Sequence, residues 1–132
     1  MSYYISTTLQ KPFDQTISAV TEALQKEGFG VLTEIDVTAT MKKKLDVDFR
    51  NYRILGACNP PFAHKALEAE DKIGTMLPCN VIVQEHQSGS VEIAAVDPVS
   101  SMQAVNNPAL APVAEEIQGR LRRVIESLRE EG

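Results

Sequence analysis

The chain has 132 residues, which fits one domain over residues 1–132 that can bury an ordinary core without cross-links. Its net charge is −5, and it contains no Trp, three Tyr and four Phe. This composition argues against a nucleic-acid surface, which is normally basic and rich in stacking side chains. No stretch approaches the ~20 apolar residues of a membrane helix, and the start lacks a signal-peptide pattern. We therefore expect a soluble cytoplasmic protein that contacts no membrane.

Hydrophobic spacing in the first half predicts strands alternating with helices. The predicted elements are a strand over 2–8, a helix from Pro12 to a left-handed cap at Gly28, a strand over 29–35, a short helix capped by Asp36, and a strand over 52–58. The short helix has Val37, Met41 and Leu45 on its predicted inner face. Its three lysines, Lys42 to Lys44, are interpreted as a solvated face rather than an anion-binding patch.

The second half predicts a helix, a hairpin and a longer helix. A helix runs from Asn59-Pro60-Pro61 to about Glu70, strands over 80–86 and 91–96 flank a turn at 87–90, and a last helix starts near Pro112. Val113, Ile117, Leu121, Val124 and Leu128 recur every three or four residues in that last helix. This is the strongest periodic signal of the chain, and it predicts an amphipathic helix packed on the core.

Both cysteines stand at predicted strand ends. Cys58-Asn59 ends the strand over 52–58, and Cys79-Asn80 opens the next strand. If the intervening segment is a crossover, the two strands are parallel and the cysteines lie at opposite ends of the sheet. If the strands are antiparallel neighbours, the two Cys-Asn pairs lie side by side at one end. The residues alone leave both topologies open.

These segments carry two chemical interpretations. Cys58 precedes a helix start, whose amides favour the thiolate form of a nearby thiol, and His64 one turn later could act as a base. Asn59 and Asn80 could bind a carbonyl or an anion. Alternatively, both cysteines are small buried residues and each Asn serves a turn or a cap. A Cys58–Cys79 disulfide requires the antiparallel topology, with α-carbons within about 7 Å. Because Cys-x-x-Cys and paired His spacings are missing, we expect no metal and no cofactor.

At these residues the chain resembles the domain-of-unknown-function 302 family. The resemblance is carried by YRILGACNP at 52–60, AHKAL at 63–67 and LPCNV at 77–81, and it extends over nearly the whole chain. It implies a two-layer α+β fold of the TATA-binding-protein-like class, with a curved, largely antiparallel five-stranded sheet and helices packed on one face. The third and fourth strands would then be antiparallel, with the cysteine segments as neighbours. The resemblance brings no activity, substrate or catalytic residue.

The favoured function is a non-enzymatic module that binds a small molecule or a partner. The candidate ligand-binding residues are Cys58, Asn59, His64, Cys79 and Asn80, and no residue is assigned a catalytic role. A homodimer is expected because a two-layer fold leaves one sheet face uncovered, and the third and fifth strands carry apolar residues on both faces. The alternative is a thiol-dependent redox sensor or enzyme that uses Cys58 and Cys79.

Overall fold

A computed structural model describes residues 2–131 of the chain. Its strands are β1 (Tyr4–Leu9), β2 (Gly30–Asp36), β3 (Tyr52–Cys58), β4 (Cys79–Glu85) and β5 (Val91–Val96). Its helices are α1 (Phe13–Lys26), α2 (Val37–Leu45), α3 (Pro60–Ala69), α4 (Pro98–Ser101) and α5 (Ala111–Glu131). The predicted order of strands and helices is confirmed, with one additional short helix, α4, and three 3₁₀ turns at Ile73–Met76, Gln103–Val105 and Pro108–Leu110.

The five strands form one sheet in the order β1-β5-β4-β3-β2, and every pair of neighbours is antiparallel. The expected α+β fold with an antiparallel sheet is confirmed. The sheet also decides the question that the sequence left open, because β3 and β4 are adjacent and antiparallel. The last residue of β3, Cys58, and the first residue of β4, Cys79, therefore lie at the same end of the sheet. We call it the cysteine end.

The sheet has a covered face and an open face. On the covered face, the cross-strand partners Leu55, Val81 and Ala95 are each at most 1% exposed beneath the helices. One residue along, on the open face, a row of partners crosses all five strands: Ile35, Ile54, Ile82, Ala94 and Ser6. Because successive side chains alternate between faces, this open row points away from the helices.

Two apolar clusters lie on the covered face. The main cluster packs α1 and α5 against the strands, and its buried residues from α5 are Ile117, Leu121, Val124, Ile125 and Leu128. The predicted inner face of the last helix is thereby confirmed, with Val113 half-buried at its start. A second, smaller cluster lies under α3 and comprises Ala66, Ile73, Met102, Leu110 and Ala114.

Short signals position the ends of the helices, and those at Gly28 and Asp36 were predicted from the sequence. Gly28 adopts φ +85° just after α1, a left-handed conformation that few other residues accept without strain. The Asp36 carboxylate accepts a hydrogen bond from the Ala39 amide at 2.9 Å and caps α2. The Asp97 carboxylate accepts bonds from the Val99 and Ser100 amides at the start of α4. These caps fix where the chain leaves the sheet.

One predicted inner face differs from the structure. The helix α2 buries none of its residues, and Leu45 is 66% exposed, although periodicity predicted an apolar face there. The reason is that α2 leaves the edge strand β2 directly and lies beyond the helices that cover the sheet. In α3 only Ala66 is buried, and Leu67 is 43% exposed. Within residues 2–131, no helix combines the length and the apolar character that crossing a membrane requires.

Candidate functional site: an apolar pocket at the cysteine end

A pocket of about 260 Å³ opens at the cysteine end on the covered face. Its walls are almost entirely apolar and come from the start of β2, the ends of β3 and β4, α3, and the first turns of α5. The lining residues are Phe29, Leu32, Ala57, Cys58, Asn59, Phe62, Ala63, Ala66, Leu67, Leu77, Pro78, Cys79, Pro98, Met102, Val113, Ala114 and Ile117.

The pocket exists because the two apolar clusters do not close against each other. Phe29, Ala57 and Ile117 on one wall belong to the main cluster, whereas Ala66 and Ala114 on the other belong to the smaller one. The alanines of α3 and α5 are too short to fill the space between the clusters. Close packing is the rule inside proteins, so a gap of this size at a junction of elements is a candidate ligand site.

The mouth of the pocket is marked by two leucines from different elements. Leu32 of β2 is 68% exposed and Leu67 of α3 is 43% exposed, although both line the pocket. Leu32 sits where the pairing of β2 with β3 shifts register between Val31 and Thr33. Such an irregularity re-aims a side chain, and here it adds an apolar residue to the rim.

The register of β3 against β4 separates the two thiols. Ala57 pairs with Cys79, so these two residues point to the covered face, and Cys79 is 7% exposed. Cys58 is one residue further along β3 and pairs with Gly30 of β2, half-buried. Strand alternation turns the β-carbons of Cys58 and Cys79 towards opposite faces. Both cysteines are free.

Burial determines the chemistry of Cys79. Loss of hydration, and to a smaller extent the electrostatic interaction with neighbouring Cys58, raises the pKa of Cys79 from 9.0 to about 11. A thiol with this pKa is almost entirely protonated at neutral pH, and the protonated form is a poor nucleophile. The raised pKa therefore favours the neutral, weakly polar form of Cys79 in the pocket wall.

The start of α3 offers little stabilisation to a thiolate. Pro60 and Pro61 occupy its first two positions and have no N–H to donate. The next two amides, of Phe62 and Ala63, already donate to the Asn59 carbonyl at 3.1 and 2.9 Å. The helix start beside Cys58 therefore lacks the free amides on which the thiol interpretation depends.

The two asparagines lie on different faces. Asn59 is buried, and its side-chain amide donates to the Glu27 carbonyl at 3.4 Å, at the end of α1. The same carbonyl accepts a bond from Arg120 of α5 at 2.9 Å. Asn80 is exposed and pairs with Gly56, on the open face. One asparagine thus ties three elements together beside the pocket, and the other stands outside it.

His64 lies away from the pocket lining. Its side chain is 73% exposed, and its Nε2 atom lies 3.6 Å from the Glu68 carboxylate on the solvent side of α3. Of the five candidate residues, the structure brings Cys58, Asn59 and Cys79 together around the pocket and leaves His64 and Asn80 outside its lining. Within residues 2–131, no group of three or more Cys, His, Asp or Glu side chains could hold a metal ion.

Gly56 explains how the chain closes over the open face at this end. A β-carbon on Gly56 would lie 2.7 Å from Pro78 Cγ and would also collide with the Thr33 hydroxyl. Only glycine accepts such a close approach, so Pro78 packs directly on the β3 backbone. This contact holds the segment before Cys79 against the open face of the sheet.

A larger groove of about 710 Å³ lies at the opposite end of the sheet, and its lining is charged. Its central cation, Arg53, is already engaged by the carboxylates of Glu34 at 2.6 Å and Asp36 at 3.4 Å. Lys42 on its rim pairs with Asp46 at 3.0 Å. Both cations of the groove, Arg53 and Lys42, are already paired with carboxylates, so we favour the smaller apolar pocket as the candidate site.

Sequence reasoning missed the far wall of the pocket. Met102, Val113, Ala114 and Ile117 lie more than twenty positions beyond Cys79 and carry no polar chemistry to draw attention. The periodicity of α5 predicted that Val113 and Ile117 face inward. No local pattern indicates that the inward side meets a gap instead of another side chain.

The fold and site define a two-layer α+β protein with an antiparallel sheet and an apolar pocket at one end. The chain belongs to the family described as "Domain of unknown function DUF302", whose match extends over residues 5–128. The crystal structure of an uncharacterized conserved DUF302 protein from Bacillus stearothermophilus is similar, with a TM-score of 0.88 at 30% identity. The similarity covers 96% of this chain and 98% of that one. No curated protein matches the chain.

Proposed function

We propose that this protein is a homodimeric binding module that takes a small apolar molecule into the pocket at the cysteine end. The observation that carries the proposal is the pocket of about 260 Å³ between the two apolar clusters. Of its buried polar side chains, Asn59 is already bonded to the Glu27 carbonyl, and the raised pKa of Cys79 favours the neutral thiol at neutral pH. Such walls favour a ligand with an uncharged apolar body over a polar metabolite.

The volume limits the size of the ligand. An engineered protein cavity of about 150 Å³ with apolar walls stays dry and binds benzene, which has six heavy atoms. By proportion, the present pocket accommodates roughly ten heavy atoms. A bicyclic aromatic ring or a medium-length alkyl chain has this size.

The test is a titration of the full chain with naphthalene, followed by backbone amide chemical shifts. We expect shifts at residues around the pocket, such as Ala57, Cys79 and Ala114, and few at the opposite end of the sheet. Ala63→Leu adds three carbons to the half-buried lining of the pocket and should abolish the shifts. Ala39→Leu adds the same atoms to exposed α2 and should leave binding unchanged.

Two results would contradict the binding proposal. One is the absence of saturable shifts with naphthalene and with alkyl chains of similar size. The other is binding that Ala63→Leu leaves intact, because the ligand would then lie elsewhere. The shifts of residues far from the pocket also report whether Ala63→Leu folds normally.

The open face supports the homodimer. Among the outward positions of the five strands, Glu92 is the only charged residue, in a chain whose net charge is −5. The centre of that face is the row Ile54, Ile82 and Ala94, bordered by the exposed rings of Tyr3 and Tyr4. A face with one charged strand residue and an apolar centre can meet a copy of itself with less repulsion than the rest of the surface would cause.

The size of the open face determines how much of it a stable dimer must bury. Five strands about 4.8 Å apart and about six residues long give a face of roughly 24 by 20 Å. A standard interface buries about 800 Å² of accessible surface on each partner. The whole open face, including its tyrosine border, must therefore be buried.

Light scattering on the purified chain tests the dimer. We expect a dimer at micromolar concentration, and Ile82→Lys, which puts a charge at the centre of the open face, should give a monomer. Lys43→Glu on exposed α2 is the control and should remain dimeric. A wild-type monomer under these conditions would remove the homodimer from the proposal and leave the pocket untouched.

The thiol-dependent alternative stays a prediction. It requires that Cys58 or Cys79 reacts rapidly with a thiol reagent in the folded protein at neutral pH. The geometry favours binding instead, because Cys79 is buried with a raised pKa and the prolines after Cys58 supply no amides. Rapid labelling of either thiol before denaturant is added would favour the alternative.

A further inference from the structure

We propose that the ligand of the apolar pocket is an amphiphile with an anionic head, a medium-chain carboxylate being the simplest example, and that Lys65 lies beside the head. The inference rests on the proposed binding function and adds the chemistry of the head group to it. It comes from the charges around Phe62, the aromatic residue that lines the pocket on α3.

Two cations approach the ring of Phe62. The Lys65 ammonium lies 5.1 Å from its centroid, and the Arg120 guanidinium carbon lies 5.3 Å away. Phe62 is half-buried, so its ring separates the apolar interior of the pocket from a cationic exterior. A ligand that fills the pocket and emerges beside Phe62 would bring its head group within reach of these cations.

The two cations differ in how they are engaged. Arg120 donates to the Glu116 carboxylate and to the Glu27 carbonyl, both at 2.9 Å. Glu27 is in turn paired with Arg123 at 3.0 Å. Among the side chains that the structure describes, Lys65 has no carboxylate partner.

The balance of charge at the ring of Phe62 is therefore positive. Of the two cations at the ring, Arg120 is neutralised by Glu116, whereas Lys65 forms no ion pair with the described side chains, in a chain whose net charge is −5. A carboxylate placed there gains a charge partner, whereas an ammonium group is repelled. The pocket volume limits the length of the apolar part of such a ligand. An eight-carbon chain fits the pocket with its head group at the mouth.

The experiment compares three probes with the same octyl chain: octanoate, 1-octanol and octylammonium. Each is titrated into the full-length protein at neutral pH and low salt, with backbone amide shifts as the readout. We expect octanoate to bind most tightly and octylammonium least tightly. Lys65→Gln should weaken octanoate about threefold and leave 1-octanol unchanged, since one exposed charge pair contributes little. Raising the salt concentration should also reduce the difference in affinity between octanoate and 1-octanol, because salt screens the charge pair.

A matched control and the separate outcomes make the test decisive. Lys43→Gln removes an exposed lysine at the opposite end of the sheet and should change none of the three affinities. If no octyl probe binds, the proposed binding function itself fails. If 1-octanol binds but octanoate binds no better, or if Lys65→Gln leaves octanoate unaffected, the anionic head group is wrong while the apolar pocket stands.

Discussion

The two faces of the sheet are made by the same strands and have opposite surroundings. Leu55 on the covered face is fully buried beneath the helices, whereas Ile54 beside it stays partly exposed on the open face. The same contrast holds between Val81 and Ile82 on β4. Neighbouring residues of similar apolar character therefore have different roles, one in the core and one in a surface that the proposed partner would cover.

This difference teaches that hydrophobicity along a strand does not identify the core by itself. On β5, Ala94 and Ala95 are identical in chemistry, and the helices above Ala95 make it a core residue at 1% exposure. Ala94 has no helix above it. An apolar strand residue stabilises the isolated chain only where a helix packs against its face of the sheet.

The largest expected effect is a difference in unfolding free energy between substitutions on the covered face and on the open face. Leu55→Ala should lower the free energy of unfolding by about 2–5 kcal/mol, because a fully buried leucine leaves a cavity. Ile54→Ala should cost about 1 kcal/mol at protein concentrations where the chain is monomeric. Urea denaturation of both variants measures the difference.

The same pair of variants also reports on the homodimer. If the open face is buried between two copies, the cost of Ile54→Ala should grow as the protein concentration rises, since dissociation and unfolding are then linked. The cost of Leu55→Ala should depend much less on concentration. Equal costs for the two variants at every concentration would contradict the distinction between a covered and an open face.

A second prediction concerns the covered face alone. The pKa of Cys79 is raised in the folded state, so the folded protein holds this proton more tightly than the unfolded chain does. The resulting stability is fully present below about pH 9 and is lost as the pH rises towards 11. Between about pH 8 and pH 11, wild type should lose about 2 kcal/mol more than Cys79→Ala does.

Cys58→Ala provides the control for this titration. Burial is the larger cause of the shift and the Cys58 charge the smaller, so Cys58→Ala should keep most of the alkaline loss. The comparison between variants removes the contributions of lysines and tyrosines that titrate in the same range. An identical alkaline loss in wild type and Cys79→Ala would show that this thiol is not buried.

The smallest expected effect compares the two asparagines. Asn59→Ala should cost about 1 kcal/mol, because it removes a hydrogen bond from a buried side chain while Arg120 still satisfies the Glu27 carbonyl. Asn80→Ala, on the exposed side of β4, should change stability by less than about 0.5 kcal/mol. Thermal unfolding of the two variants measures which substitution costs more stability. A larger cost for Asn80→Ala would contradict the structural role assigned to the buried Asn59.

The local elements could be read from the sequence, because each rests on a short-range signal. Gly28 is suited to a left-handed cap, Asp36 and Asp97 to capping helices, and the apolar spacing of α5 to one buried side. The candidate site was only partly accessible to such reasoning. Cys58, Asn59 and Cys79 drew attention by their chemistry, whereas Met102 and Ala114 on the opposite wall are distant in sequence and chemically plain.

The sequence by itself determined the order and approximate position of the strands and longer helices, since propensity, caps and periodicity act over a few residues. The tertiary structure alone decided that β3 and β4 pair antiparallel with Ala57 opposite Cys79. A shift of one residue in that register would exchange the faces of every side chain on the strand. The tertiary structure also decided that two apolar clusters meet without closing, because a gap depends on the summed volumes of residues from six elements and on no single segment.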